Sequence, residues 1–414
     1  VDYIKRLFDR EGIPSEIRAL DQSRPNLVAR LKGTGRKRPL LIMGHTDVVT
    51  VDPAKWKHPP FDAARDGGYV YGRGAVDDKD NLTAAMMTML LLKRANVPLD
   101  RDVIFLAESG EEGTTSVGID FMVDRHFADI DAEYCFAEGG GVRRLGGKVA
   151  FATVQTLEKR SRSIEVVARG VAGHGSVPLK SNAIVHLAGA VAKIGEWRPE
   201  VRFNETTRTY FRKLAEISAP DVAKYYRDVL STDPAVRAAA DAWLFEHEPQ
   251  HSSMLRTSVS PTVLTGGYRS NVIPSEAKAT LDVRMLPDED PDRFLAQMKA
   301  VVDDPAVEVR FPTSFRRPAG TETKLDSEAF KAIDAAVTRI YNTTTLPTMS
   351  TGATDMAQVR ARGMQCFGIG PATDMEDGPQ GFGAHSDQER ILEDELHRFV
   401  RFTWEIVASL AKGA

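Results

Sequence analysis

Leu40-Leu41-Ile42-Met43-Gly44-His45-Thr46-Asp47 sets an apolar run directly against a histidine and an aspartate. Consecutive apolar side chains of this kind suit a buried strand, and the polar residues begin where the strand ends. The arrangement recurs: the apolar run 103–107 leads into Glu108-Ser109-Gly110-Glu111-Glu112-Gly113, and 134–137 leads into Glu138-Gly139-Gly140. Gly72-Arg73-Gly74-Ala75-Val76-Asp77-Asp78-Lys79 and Ala384-His385-Ser386 carry the same residue types. In a parallel α/β sheet the carboxyl ends of the strands line one crevice, so groups far apart in sequence converge there. Two histidines and several carboxylates in such a crevice, with no comparable cluster of bases, point to a binuclear divalent-metal site. That chemistry is hydrolytic.

Helical patterns fill the gaps between these runs. Residues 1–10 are amphipathic, 81–94 are rich in Ala, Met and Leu, and 117–125 read as another helix. Such alternation predicts a mainly parallel sheet with helices on both faces. After about Leu157 the character changes. Residues 163–168, 258–265, 277–285 and 307–311 read as strands, 182–197 and 291–302 as helices, and 206–248 as two or three helices. This is an α+β unit inserted into the first domain. From about Ser327 the earlier style resumes, with helices at 327–341 and 355–361, a strand at 366–369 and a final helix over 387–411. The expected architecture is therefore α/β, with a catalytic domain of residues 1–157 and 316–414 and an inserted domain of 158–315. His385 joins the cluster only if the last segment returns to the first domain.

Composition is compatible with this. A chain of 414 residues exceeds one ordinary core. Its net charge of -4 gives no electrostatic basis for nucleic-acid binding, and no run approaches the ~20 apolar residues of a membrane span. The two cysteines, Cys135 and Cys366, lie in strand-like runs and read as buried thiols. No signal peptide opens the chain, which begins at Val1 and so reads as a trimmed or processed form. The compartment stays open between cytoplasm and export.

A dizinc site needs a carboxylate bridging the metals, an imidazole and a carboxylate on each, and a separate carboxylate to take a proton from water. The inventory fits: Asp77 as bridge, His45 and His385 as terminal imidazoles, Glu112 and Glu138 as terminal carboxylates, and Glu111 as base. Asp47 is placed to orient the His45 ring by accepting a hydrogen bond from its second nitrogen.

These motifs resemble the dizinc metallopeptidase family that includes carboxypeptidase G, aminoacylase, carnosinase and succinyl-diaminopimelate desuccinylase. The matching stretches are those around His45–Asp47, Asp77–Lys79, Glu111-Glu112, Glu138-Gly-Gly and His385-Ser, with Gly173-His174-Gly175-Ser176 and Asn271-Val-Ile-Pro274 in the inserted domain. The resemblance implies a cis Asp77–Asp78 peptide and an inserted domain that acts as lid and dimer contact. It also implies that His174 reaches the partner subunit's active site to stabilise the oxyanion. Asn271 and Arg284 resemble lid residues that contact substrate, and Gly352 and Thr354 lie in a segment that in relatives cradles the substrate carboxylate. The 206–248 helices, with Glu138-Gly-Gly, resemble the subgroup of carboxypeptidase S and N-fatty-acyl-amino-acid hydrolases. Lys79-Asp80 departs from the Lys-Gly of many relatives.

The expected activity is metal-dependent hydrolysis of an amide bond next to a free carboxylate, on an N-acyl amino acid or a short peptide. Two divalent ions are expected, zinc foremost, with cobalt or manganese able to substitute. A carnosinase-type dipeptidase is the rival within the class, and an inactive binding protein on the same fold is the rival outside it. Tyr210, Phe211, Tyr225, Tyr226, Trp243 and Phe245 either pack the inserted helices together or form an apolar wall for a bulky acyl group.

Overall fold

The computed structural model describes residues 1–312, 318 and 320–413. It falls into two compact units, one of Val1–Leu157, Thr321–Met349 and Thr354–Ala414, the other of Glu158–Gly320 and Ser350–Ala353. The expected boundary between 315 and 316 lies outside the described residues.

A ten-stranded sheet organises the first unit. Its centre runs Val103–Glu108, Leu40–His45, Tyr134–Ala137, Gln365–Gly368, all paired in parallel. Alternation within these strands divides the core. Leu40, Ile42, Val103 and Phe105 join the helices Lys79–Arg94, Glu328–Tyr341 and Glu393–Ala411 in one cluster, while Leu41, Met43, Ile104 and Leu106 pack on the other face with Ile119, Met122, Met356 and Val359. Because both faces are covered, the strands read as unbroken apolar runs.

Away from its centre the sheet is mixed rather than mainly parallel. Asn26–Leu31 pairs antiparallel with Val103–Glu108, and Lys148–Glu158 with Gln365–Gly368. Sequence reading missed the hairpin of Gly141–Leu145 and Lys148–Glu158, which turns at Gly146-Gly147 with both glycines at positive φ. The final helix also begins later than 387. Residues Arg390–Leu392 first pair as a strand with Tyr69–Tyr71, and the helix runs Glu393–Ala411. At the point where the chain leaves this unit and returns to it, Thr323 N–H donates to Thr156 O at 3.1 Å. Cys135 and Cys366 are free, buried and opposite each other in register.

The second unit is a four-stranded antiparallel sheet in the order Ser258–Gly266, Glu276–Met285, Arg160–Arg169, Val307–Arg310. Every second residue of Glu276–Met285, from Ala277 to Met285, is buried against the helices Ala183–Glu196 and Pro291–Val302. The alternate residues Lys278, Thr280, Asp282 and Arg284 are only half-buried. The helices Glu205–Ile217, Pro220–Asp228 and Pro234–His247 form the insertion, and two of them start on a proline, whose fixed φ suits a first helical turn. Tyr210, Phe211 and Tyr226 are buried together around His251, and Tyr225 stacks on Trp243 at 4.0 Å. Tyr210, Phe211, Tyr225, Tyr226 and Trp243 pack the insertion together, while Phe245 is 44% exposed with Arg198 over its ring.

Candidate metal centre

The three parallel strands that end in chemistry place their last residues side by side. His45 closes Leu40–His45 and is 1% exposed. Its Nδ1 lies 2.9 Å from the carbonyl oxygen of Asp47, which can only accept, so Nδ1 carries the proton. Its Nε2 faces Asp77 Oδ1, 3.0 Å away. The Asp77–Asp78 peptide is cis. Asp78 Oδ2 accepts from the His45 N–H and Oδ1 from the Asn81 side chain. A Cβ at position 44 would come within 2.6 Å of Asp78 Oδ2, so only glycine fits there.

On the other side of Asp77 the arrangement is mirrored. His385 Nε2 lies 3.0 Å from Asp77 Oδ2 and 3.0 Å from Glu112 Oε1. Each oxygen of one carboxylate thus faces a different imidazole. Two donor groups result, His45–Asp77–Glu138 and Asp77–Glu112–His385, with the ligand atoms of each within 4.8 Å of one another. Imidazole and carboxylate in this ratio suit zinc and its neighbours.

The electrostatics fit cations. Burial, foremost, and the charge on Asp78 push the Glu138 carboxyl well above the usual carboxylate range. Burial likewise raises Asp78 to about 7. Burial also opposes charge on His45, yet Asp77, Asp78 and Glu138 outweigh it and hold the imidazole up at about 12. Carboxylates packed this closely repel one another unless protons or cations lie among them, and a divalent pair would supply the compensating charge.

Asp47 does not orient His45 with its carboxylate. Oδ1 stands 3.7 Å from the ring and instead accepts the N–H groups of Gly110 and Glu111 at 2.6 and 3.3 Å, while Oδ2 accepts that of Glu112 at 3.2 Å. The carboxylate pins the loop that carries Glu111 and Glu112, and the main chain orients the ring. Glu111 belongs to neither donor group, but its charge acts on Glu138 and Glu108. Beside the cluster lies a cavity of about 380 Å³, lined among others by Asp77, Glu138, Ile369, Met375 and Phe382.

The remaining expected residues lie mostly in the second unit. His174 is exposed on Gly173–His174, which pairs with Val272–Ile273, and this places Asn271 next to it. Its Nδ1 accepts from Ser176 N–H at 3.1 Å, leaving the proton on Nε2. Arg284 is already forked onto Asp282 of its own strand, at 2.6 and 2.9 Å. Gly352 N–H donates to Ser350 Oγ. Thr354, in the first unit, is 5% exposed and its hydroxyl accepts from Met356 N–H, so it serves the turn into Met356–Arg360. Sequence reading missed Glu389, which is fully buried and binds the loop ahead of Asp77. Its one signal was an acidic residue a single turn beyond His385.

The model described as peptidase family M20/M25/M40 matches residues 41–409. The chain belongs to this family. Among its relatives, the probable carboxypeptidase S-like 2 of Dictyostelium discoideum is 27% identical over 348 residues, 80% of this chain and 64% of that protein. The N-fatty-acyl-amino acid synthase/hydrolase PM20D1 of Xenopus tropicalis is 28% identical over 300 residues, 67% of this chain and 54% of that protein. The chain thus aligns with less than two thirds of either relative's length. The crystal structure of the M20 family metallo-carboxypeptidase Sso-CP2 from Sulfolobus solfataricus superimposes with a TM-score of 0.71 at 22% identity, covering 98% of this chain and 92% of that one. Among the described residues, no helix is long and apolar enough to cross a membrane.

Proposed function

We propose that this M20 protein hydrolyses an amide bond next to a free carboxylate, in an N-acyl amino acid or at the C-terminal residue of a short peptide. The observation that carries the reading is Asp77, whose two oxygens each face an imidazole, with Glu138 on one side and Glu112 on the other. His45, Asp77 and Glu138 would hold one divalent ion and Asp77, Glu112 and His385 the second, zinc foremost. When bound, such a pair supplies Lewis acidity and a water acidified toward neutral pH.

The chain's own residues do the rest. Glu111 takes the proton from the attacking water and returns it to the leaving amine. Asp47 holds Glu111 in place through the loop amides. His174, with its proton on Nε2, has the tautomer needed to donate to an oxyanion, and the family resemblance supplies that role, in the partner subunit's site. Asn271 and the Gly352 segment are the candidates for contact with the substrate carboxylate. Arg284 would have to leave Asp282 to serve as a second clamp.

A homodimer through the second unit fits its outer strand. Ser258–Gly266 is an edge strand with Val263 and Leu264 51% and 62% exposed, and Val185 on Ala183–Glu196 is 64% exposed. An exposed, apolar edge is a template for pairing with another chain.

A hydrolysis panel of N-acyl amino acids and dipeptides, run with zinc, cobalt and manganese, tests the reading. Turnover with metal and none after chelation is expected. Metal binding without hydrolysis of any member would favour an inactive binding protein. Exclusive cleavage of polar dipeptides would favour the carnosinase-like alternative.

A further inference from the structure

Two segments that contribute to the second donor group, the loop 72–77 and the stretch 385–389, grip each other through a pair of buried side chains. Glu389 is 0% exposed and Arg73 3%. Glu389 Oε2 accepts from Arg73 Nη1 at 2.6 Å and from Gly74 N–H at 3.1 Å, and Oε1 accepts from Val76 N–H at 2.9 Å. The Val76 bond ends one residue before Asp77. In the opposite direction, Arg73 Nη2 donates to the carbonyl oxygen of His385 at 3.4 Å. Gly72 N–H also donates to Glu389 O, and Arg390–Leu392 continues the contact as a strand on Tyr69–Tyr71. Trp56 covers the guanidinium, 5.3 Å from the ring centre.

A buried ion pair is weak support for stability, because a well-packed apolar pair commonly does as well. What apolar side chains cannot do is bind two loop amides and a histidine carbonyl at once. His385 depends on such a hold: its side chain is 54% exposed and its backbone sits at φ 62. His45, by contrast, closes a central strand and is fixed by Asp78 and the Asp47 carbonyl.

Resting on the metal reading above, we infer that Arg73 and Glu389 are a positioning pair for the second donor group, setting His385 against Asp77 and Glu112. They act through those residues and touch no substrate. Loosening the clasp weakens the His385-side ion selectively, while the His45-side ion, held by His45, Glu138 and Asp77, stays bound.

Zinc titration against a chromophoric chelator, on the full chain, tests this in Glu389→Gln and Arg73→Lys, with His385→Ala marking the affinity of the remaining position. Circular dichroism checks the fold, and the second variant covers a failure of the first. The expected result is a first ion bound within threefold of wild type and a second weakened at least tenfold. Turnover recovers at high zinc with KM unchanged. Both ions binding as in wild type, or both weakening in step, would overturn the inference. Wild-type protein that takes up no zinc would instead refute the metal reading, and the clasp with it.

Discussion

Replacing Asp47 with alanine removes one carboxylate that three successive backbone N–H groups share. The bond to Gly110 is short at 2.6 Å, and those to Glu111 and Glu112 are longer at 3.3 and 3.2 Å. A hydrogen bond to a charged group contributes about 1.5–3 kcal/mol net. The two longer bonds lie at the weak end, and water can reach a carboxylate that keeps 19% of its side chain exposed. A loss of about 2–3 kcal/mol in local loop stability follows. At 1.4 kcal/mol per tenfold, amides 110–112 should exchange with deuterium roughly 30- to 150-fold faster. Hydrogen–deuterium exchange with mass spectrometry, on metal-loaded protein, reads this directly. With Glu111 and Glu112 both loosened, kcat should fall and the Glu112-side ion should weaken first. If exchange at 110–112 is unchanged and only the His45-side ion weakens, Asp47 acts on the histidine after all and the loop reading fails.

Glu111→Gln should retain two metal ions by elemental analysis while kcat drops by about 10²–10⁴-fold; near-normal turnover would remove Glu111 from the base role. Lys159 is buried against Ser253 and Ser258, and burial first, with Arg284 and Arg256 adding to it, lowers its pKa to about 7. The unfolded chain therefore binds the extra proton between about pH 7 and the ordinary lysine value of 10.5, so stability should rise with pH across that window. Urea unfolding at pH 6, 7.5 and 9 should show the rise, and Lys159→Met should flatten it. Leu264→Lys on the exposed edge strand should convert a dimer to monomer by light scattering without loss of helix signal; an unchanged mass would place the contact elsewhere.

The donor set was legible because each of His45, Glu112 and Glu138 follows an apolar strand, and apolar runs report burial directly. Glu111's neighbours gave no hint that Asp47 holds them, since that contact spans 63 residues and involves backbone N–H groups that no side-chain pattern encodes. Lys148–Glu158 escaped notice because Thr153, Gln155 and Thr156 are buried there, which breaks the apolar signature of a central strand. The late start of the last helix has a similar cause. Asp387 and Glu389 look like an acidic helix entrance, but Glu389 is committed to Arg73 and the next residues to a strand. In the inserted helices the spacing of aromatic residues could not distinguish packing from a pocket; the contacts around His251 account for Tyr210, Phe211 and Tyr226 as packing.

The Thr156–Thr323 hydrogen bond has a bearing on how the chain reaches its native state. Central strands Tyr134–Ala137 and Gln365–Gly368 must pair although the whole second unit lies between them in sequence. Closing a flexible loop of that length is entropically costly and slow, and a ribosome delivers its residues in order. The second unit is nearly continuous in sequence and can collapse on its own while the rest is still being made. Once it has, the two ends that meet at Thr156 and Thr323 are close together, and the large loop is reduced to a short one. The insertion would then work as an internal clip that brings Gln365–Gly368 to its partner Tyr134–Ala137. Destabilising the second unit should therefore slow assembly of the first, even where no residue of the first has changed.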